Sequence, residues 1–518
     1  MRTIFSKTKK EDLFPEQIGD YELISLMLES PRDDKGEDIR FKQYGLDFVY
    51  TNFSIYEDLY SNCLTGSITI VDANHLLTDF PIIGEETIEI CFRSMNTPIC
   101  ILLRMRVTGI SPVSKVNENS YMYTLYLTSN VAIESEKQKI SKAFNDGNVS
   151  QIIEYICIKY FKMIDDSSIS FTKEGDFSIK HKDKFSNYYS IETESGHVEK
   201  YLAPYYSPFR IINKLCKRAI SETGTLFFFF QDINKFRFIS LEDLFKKRAS
   251  EKIYKKLMYI PADNINRDNL GAWNIVTDYK IKEKFDVFKN MSRGMYSSQY
   301  SFVDIEKRHV KTNEFYYQRD ARKFHHINND KFLLTTNNSD ITHKLSEESP
   351  STVAGVVMFH TGDPESQDRT IHSAEILQRR LAMQASIDSL ILQVVLPGDS
   401  SGQIAIGDIV EFVFPKNTNQ DGDAYLSGKY MVTRINHSID IAKKYSLIVE
   451  LVTDTISNNY QLVPEIPSSA LGIKAEAKDI LLEPDEDLVM TSILSSDAVD
   501  NYHDATRKRS LIKKTVGY

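Results

Sequence analysis

The stretch IIGEETIEICF, Ile82 to Phe92, returns far downstream as AIGDIVEFVF, Ala405 to Phe414. Each carries Ile-Gly-acid and then a Glu among apolar residues, a turn leading into a strand. A second block follows in each half: Val107-Thr108-Gly109-Ile110, and Val432-Thr433-Arg434-Ile435. In a third block Tyr121, Tyr123, Leu125 and Leu127 alternate with Met122, Thr124 and Tyr126. Tyr445, Leu447, Val449 and Leu451 likewise alternate with Ser446, Ile448 and Glu450. Alternation of this kind is the two-residue period of a strand with one buried face. Three blocks in one order at nearly one spacing imply two copies of one small β-domain. Gly84, Val107 and Tyr121 are then the counterparts of Gly407, Val432 and Tyr445. The copies are distant and diverged, unlike an array of short repeats.

With 518 residues the chain is too long for one core and should form several domains. It is 42% hydrophobic and 26% charged, ordinary for a folded protein. The 29 Phe and 28 Tyr against one Trp suit strands and broad interfaces. A formal charge of −9 argues against a surface that grips nucleic acid, though nucleic acid could slide past it. Five cysteines, none in a CxxC pair, read as thiols, with Cys91, Cys157 and Cys216 in apolar runs. The N-terminus lacks an apolar run of signal-peptide length, and no run approaches the ~20 residues of a membrane span.

The pattern divides the chain as follows. Residues 1–17 are a polar, flexible arm, and 18–135 the first β-domain. Residues 136–250 form an α+β domain. It holds a helix from Ser150 to Lys162 capped by Asn148 or Ser150, and a helix entered at Ser207-Pro208 and stopped by Gly224. A hairpin, Leu226–Phe230 with Phe236–Ile239, precedes a turn capped by Ser240. Residues 251–350 are mixed and loop-rich, with a helix expected near Glu283–Asn290, a strand at Gln299–Val303 and a linker at 345–352. Residues 351–458 are the second β-domain, entered through a helix at Ser373–Ala385 and a strand at Ser389–Leu396. Residues 459–518 have little core-forming content and read as an extended arm. Its short apolar sets include Leu471, Ile473, Ile480, Leu482, Leu488 and Ile493, candidate anchors on a partner.

No motif for catalysis or nucleotide binding occurs. His325-His326 reads as a surface pair, and Asn417 to Gly422 resembles the start of a calcium loop but has Gly428 where the closing acid belongs. His437 follows a strand and reads as a structural hydrogen-bonding group. Glu85, Glu86 and Asp408 at the repeated turns read as solvated. No catalytic, cofactor or metal residue is assigned.

Three segments carry a resemblance: SPFRIINKLCKRAISETGTLFFFFQDINKFRFISLEDLF (Ser207 to Phe245), FDVFKNMSRGMYSSQYSFVDIEKR (Phe285 to Arg308) and LSGKYMVTRINHSIDIAKKYSLIVELVTD (Leu426 to Asp454). Together they resemble the baseplate hub proteins of contractile-tailed bacteriophages, a family related to the base of type VI secretion spikes. The resemblance covers roughly residues 20–455. It implies an α+β, β-rich fold: two similar tube-type β-barrel domains, α+β insertion domains between them and an extended C-terminal arm. It implies a non-enzymatic virion protein assembled in the host cytoplasm. Its partners would be two further copies of itself, the tail tube, the central spike and other baseplate proteins, with phage DNA passing unbound and no stable membrane insertion. Three chains carrying two copies each give the six equivalent faces that join a sixfold tube to a threefold spike. The alternatives are a tail-associated wall-degrading enzyme with peptidoglycan hydrolase activity, or a receptor-binding tail protein.

Overall fold

The computed structural model describes residues 2–5, 15, 17–30, 42–80, 82–144, 147–163, 169–171, 177–179, 188–195, 201–221, 225–250, 255–260, 272–284, 286–304, 308–320, 325–328, 330–331, 353–359, 367–387, 390–413, 427–442 and 444–456. The N-terminal strands are β1 (Arg2–Phe5), β2 (Tyr21–Ser30), β3 (Tyr50–Asp58), β4 (Thr65–Asp72), β5 (Thr87–Ser94), β6 (Ile99–Ile110), β7 (Ser114–Asn117) and β8 (Ser120–Ser129). Helices α1 (Val149–Lys159) and α2 (Pro208–Cys216) and the hairpin β9 (Phe227–Gln231) and β10 (Phe236–Ser240) follow. Next come β11 (Lys255–Tyr259), β12 (Asp278–Lys284), β13 (Ser297–Asp304), β14 (His309–Tyr316), β15 (Val353–Phe359) and helix α3 (Gln367–Ile387). The last strands used below are β16 (Leu390–Pro397), β17 (Ile409–Val413), β18 (Gly428–Asp440) and β19 (Lys444–Thr453). The fold is thus β-rich and α+β.

A 16-stranded sheet dominates. Within it β3-β4-β8-β6-β5 are neighbours in that order, every pair antiparallel. The order β12-β16-β19-β18-β17 repeats this pattern, again antiparallel throughout. The registers agree in detail. Val107 lies opposite Leu127, with a bulge before Gly109; Val432 lies opposite Leu451, with a bulge before Arg434. Thr87 faces Arg106, and Ile409 faces Met431. The Val107 N–H donates to the Glu86 carbonyl at 3.0 Å, the Val432 N–H to the Asp408 carbonyl at 2.9 Å. Counting back equally from Leu127 and Leu451 pairs Tyr121 with Tyr445. Gly84 and Gly407 both have positive φ, 100° and 82°, where a side chain is strained. A shared bulge re-aims both strands in the same way and is a positional feature, not a defect.

The buried face of each unit follows from alternation. Val432, Ile435, Leu447, Val449 and Leu451 are buried, as are Val107, Tyr123, Leu125 and Leu127. These join one continuous core that runs through both units. The segment between the units has a core of its own, built by α1, α2, β9 and β10 around Ile153, Ile156, Ile212 and Phe238. The Asn148 side chain caps α1 by accepting the Gln151 N–H at 2.9 Å, and Pro208 opens α2, although Ser207 makes no side-chain cap bond. Ser240 Oγ accepts the Asp243 N–H at 3.1 Å. A separate three-stranded sheet, β14-β13-β15, is tied to α3 by Gln378, which donates to the carbonyls of Ser298 and Asn313, each at 3.0 Å.

Several expectations are corrected. The described residues of 251–350 are divided: β11 and β12 belong to the large sheet, paired with β17 and β16, while β13 and β14 lie in the smaller sheet with β15. The second unit therefore begins at Asp278, and residues 285–389 interrupt it between its first and second strands. Glu283 lies in β12, and the helix expected from that residue spans only Val287–Ser292. Arg2–Phe5, expected in a flexible arm, adds a strand to β6. The helix read as Ser373–Ala385 is longer, Gln367–Ile387. Gly224, residues 345–352, the loop at 417–422 and the arm at 459–518 lie outside the described residues.

Candidate interface between the two repeats

The two units meet through a strand joint. The outer edge of β3 pairs antiparallel with β18, from Arg434 opposite Asp58 to Asp440 opposite Asn52. Alternation sends Phe53 and Ile55 of β3 and Ile435 and Ile439 of β18 into the core, all nearly fully buried. By the same period Glu57 and His437 point inward, and each must find a partner.

They find each other. His437 Nε2 lies 2.8 Å from Glu57 Oε1, and His437 Nδ1 lies 2.7 Å from the Tyr445 hydroxyl. That hydroxyl donates to the Asp399 carbonyl at 3.3 Å, and the second Glu57 oxygen accepts the Ile233 N–H at 2.9 Å. Burial, with the charges of Asp399 and Glu57 nearby, raises the Tyr445 pKa well above the phenol range. The Tyr445 ring packs edge-on against Phe92, which packs edge-on against Phe53, at centroid distances of 5.4 and 5.6 Å. Gly398 is required here: a Cβ on it would stand 2.0 Å from the Tyr445 ring. At the rim Arg434 bridges Asp58 at 3.1 Å and Glu450 at 3.2 Å. Tyr21 donates to the Asp440 carbonyl at 2.9 Å.

The inserted α+β segment locks onto the same place. Its Asp232 accepts the N–H groups of Asn234 and Lys235, each at 2.7 Å, and stands 4.0 Å from Arg237. Burial, reinforced by the Glu57 charge, pushes the Asp232 pKa up to about 6. Arg237 pairs with Glu192 at 2.6 Å and donates to the Ile406 carbonyl at 3.0 Å, linking the insert to the second unit. Gln231 accepts the Leu64 N–H at 3.2 Å and links it to the first.

The glycine turns are stapled by carboxylates. Glu86 accepts the N–H groups of Ile83 and Gly84, the latter at 2.7 Å; Asp408 accepts the Ala405 N–H at 3.2 Å and pairs with Lys255 at 2.5 Å. Both acids are buried, which corrects their reading as solvated turn residues; Glu85 is exposed. Turn N–H groups otherwise left open supply the reason.

Comparison with known proteins comes from structure alone: no family model and no curated protein matches the sequence. The 43 kDa tail protein of prophage MuSo2 from Shewanella oneidensis matches over 84% of this chain and 99% of its own, at 10% identity and a TM-score of 0.46. A tail protein from Neisseria meningitidis MC58 matches over 84% and 97%, at 7% identity and a TM-score of 0.44. The E. coli c3393 protein, described as a component of the type VI secretion system, matches over 80% and 77%, at 8% identity and a TM-score of 0.38. The chain is similar to phage tail proteins.

Of the residues singled out from the sequence, the sheet brings together Tyr445 and His437 at the joint, while Val432 lies before it, opposite Leu451. By register Val107 and Tyr121 match Val432 and Tyr445, whereas Gly84 is one residue out of step with Gly407, standing two residues before Glu86 where Gly407 stands one before Asp408. Leu471, Ile473, Ile480, Leu482, Leu488 and Ile493 lie outside the described residues. His326 is not simply at the surface: its Nδ1 lies 2.7 Å from Asp454. Glu57, Asp232 and Phe92 were missed. A signal for Glu57 exists, an acid on the inward phase of the alternating run Phe53, Ile55, Glu57. His437, Glu57 and Tyr445 at the joint are all buried. No metal-binding cluster occurs among the described residues, and no described helix is long and apolar enough to cross a membrane. Burial raises the pKa of the Cys91, Cys157 and Cys216 thiols, which disfavours the reactive thiolate. An open cleft of about 590 Å³ on the insert is lined by Glu136, Lys139, Tyr206, Ser207, Arg210 and Lys214 among others.

Proposed function

We propose that this chain is the structural hub of a phage-tail baseplate. In this reading the two five-strand units are tube-type barrels, and three chains form a ring of six. The ring joins a sixfold tail tube to a threefold spike and leaves a channel through which DNA passes without specific binding. The chain acts mechanically and catalyses nothing. The segment after Asn458 docks on the spike or on a neighbouring chain. The observation that carries this reading is the repeated five-strand order, with one register and one bulge, joined edge to edge through β3 and β18. Duplication inside a chain is the simplest way to present a sixfold face from threefold symmetry.

Mass photometry of the 59.6 kDa chain alone, and with the tube and spike proteins encoded beside it, tests the reading. The expected product is three chains per assembly, with a central channel in negative-stain images. A stable dimer or hexamer within the assembly overturns it. A cleared band on a bacterial-wall zymogram would overturn the non-enzymatic part.

A further inference from the structure

The internal joint has an unused counterpart. In the first unit β6 and β7 together correspond to β18. Ser114 and Lys115 pair with Met122 and Tyr121 as Ser438 and Ile439 pair with Ser446 and Tyr445. In the second unit β12 corresponds to β3. Ile281 faces Leu392 as Ile55 faces Gly66, and Leu392 and Gly66 in turn face Leu451 and Leu127. Among the described residues β3 meets β18, but β12 and β6–β7 do not pair. Among the described residues β12 has β16 as its one neighbour, and β7 has β8.

Exposure marks both edges as incomplete. Thr433 is fully buried and its carbonyl accepts the Leu59 N–H at 2.9 Å, whereas its counterpart Thr108 is exposed. Ile435, His437 and Ile439 are buried at the joint; along the corresponding edge Val113 and Val116 are each 48% exposed. Ile55 is fully buried, and its counterpart Ile281 is 37% exposed. Met122 and Tyr126 on the adjacent β8 are exposed as well. Exposed apolar residues on a sheet edge are a template for strand addition. Lys115, Lys280 and Lys282 on these edges discourage indiscriminate pairing.

We infer that the β12 edge of one chain pairs antiparallel with the β6–β7 edge of a second copy, in the register of the internal β3·β18 joint. Carried across, that register sets Asp278 opposite Asn117, Lys280 opposite Ser114 and Lys284 opposite Ile110. The occupant is a second copy because each chain carries one edge of each kind, and the internal joint shows that the two kinds fit. Such a contact is head-to-tail, so it propagates until a ring closes. Pro112, which has no N–H to offer, falls in the break between β6 and β7, so none of these pairs asks it to donate. The inference rests on the ring reading above and names its seam.

Cysteines at Lys280 and Ser114 test it. Directly opposed residues stand about 4.5–5.5 Å apart at Cα, within disulfide reach. Both sites lie on one chain but on different edges, so oxidation of K280C/S114C should shift the monomer band to dimers and higher species on a non-reducing gel. The unmodified chain, whose own cysteines are buried or half-buried, and the off-register K280C/E118C should stay monomeric on that gel. Circular dichroism checks that each variant folds, and the single variants K280C and S114C control for stray oxidation. An oligomer that fails to cross-link in register, or cross-links equally off register, overturns the seam and leaves the ring reading standing. A folded chain that neither self-associates nor cross-links, with or without tube and spike, overturns both.

Discussion

Tyr445 is held from every side. Its N–H donates to the Gly19 carbonyl at 2.7 Å, its carbonyl accepts the Gly398 N–H at 2.9 Å, and its hydroxyl faces His437. Gly398→Ala inserts a methyl where the ring stands, so overpacking should cost about 1–3 kcal/mol in urea unfolding with an unchanged m-value. A loss below about 0.5 kcal/mol would show that the ring yields freely. Tyr445→Phe keeps the packing but strips His437 Nδ1 of its partner. Leaving a buried polar group unmade costs about 1–3 kcal/mol, measurable in the same experiment. Asp232 gives the joint a pH dependence. Its folded pKa of about 6 exceeds the ordinary 3.8, so the folded state binds more protons between those values. Its contribution to stability is therefore full below pH ~4 and is lost as the pH rises through about 6. Asp232→Asn should flatten the decline of melting temperature across that window. A pH profile identical to that of the unmodified chain would count against the assignment.

At the scale of elements, legibility followed local geometry. The three blocks that reveal the repeat sit where backbone constraint is strongest: a positive-φ glycine, a bulge at Thr108 or Thr433, and a strand with one buried face. The first two strands of each unit were not legible as repeats. β3 and β4 form a hairpin with a short connection, whereas β12 and β16 are parted by residues 285–389, so the spacing is lost. The sequence of β12, DYKIKEK, also reads as polar, and among the described residues one edge of that strand is unpaired. The buried turn acids were misread because a carboxylate among backbone N–H groups looks, in sequence, like a solvated one. Their shared role has a measurable consequence. Glu86→Ala and Asp408→Ala each remove an acceptor from turn N–H groups, so each should cost about 1–3 kcal/mol. The two turns belong to separate units, and the double variant should lose close to the sum. A near-zero cost at either turn would mean that the carboxylate there is dispensable.

Across the molecule, one core continues through both units, while the insert keeps its own and contributes polar ties through Asp232, Arg237 and Gln231. A two-unit element built this way gains stiffness from the joint, since bending one unit against the other would break a buried hydrogen-bonded pair as well as a strand ladder. The described core residues end at Val452 in β19. Truncation after Asn458 should therefore leave unfolding free energy within about 0.5 kcal/mol of the intact chain, the range of changes that touch no core. Under the docking-arm proposal the same truncation should weaken capture of the spike in a pull-down, because short apolar sets such as Leu471 with Ile473 and Leu488 with Ile493 gain affinity only by ordering on another surface. The two readouts are separable. Lost stability would mean that the tail completes the core, and unchanged spike capture from a stable truncated chain would mean that the tail is not the dock.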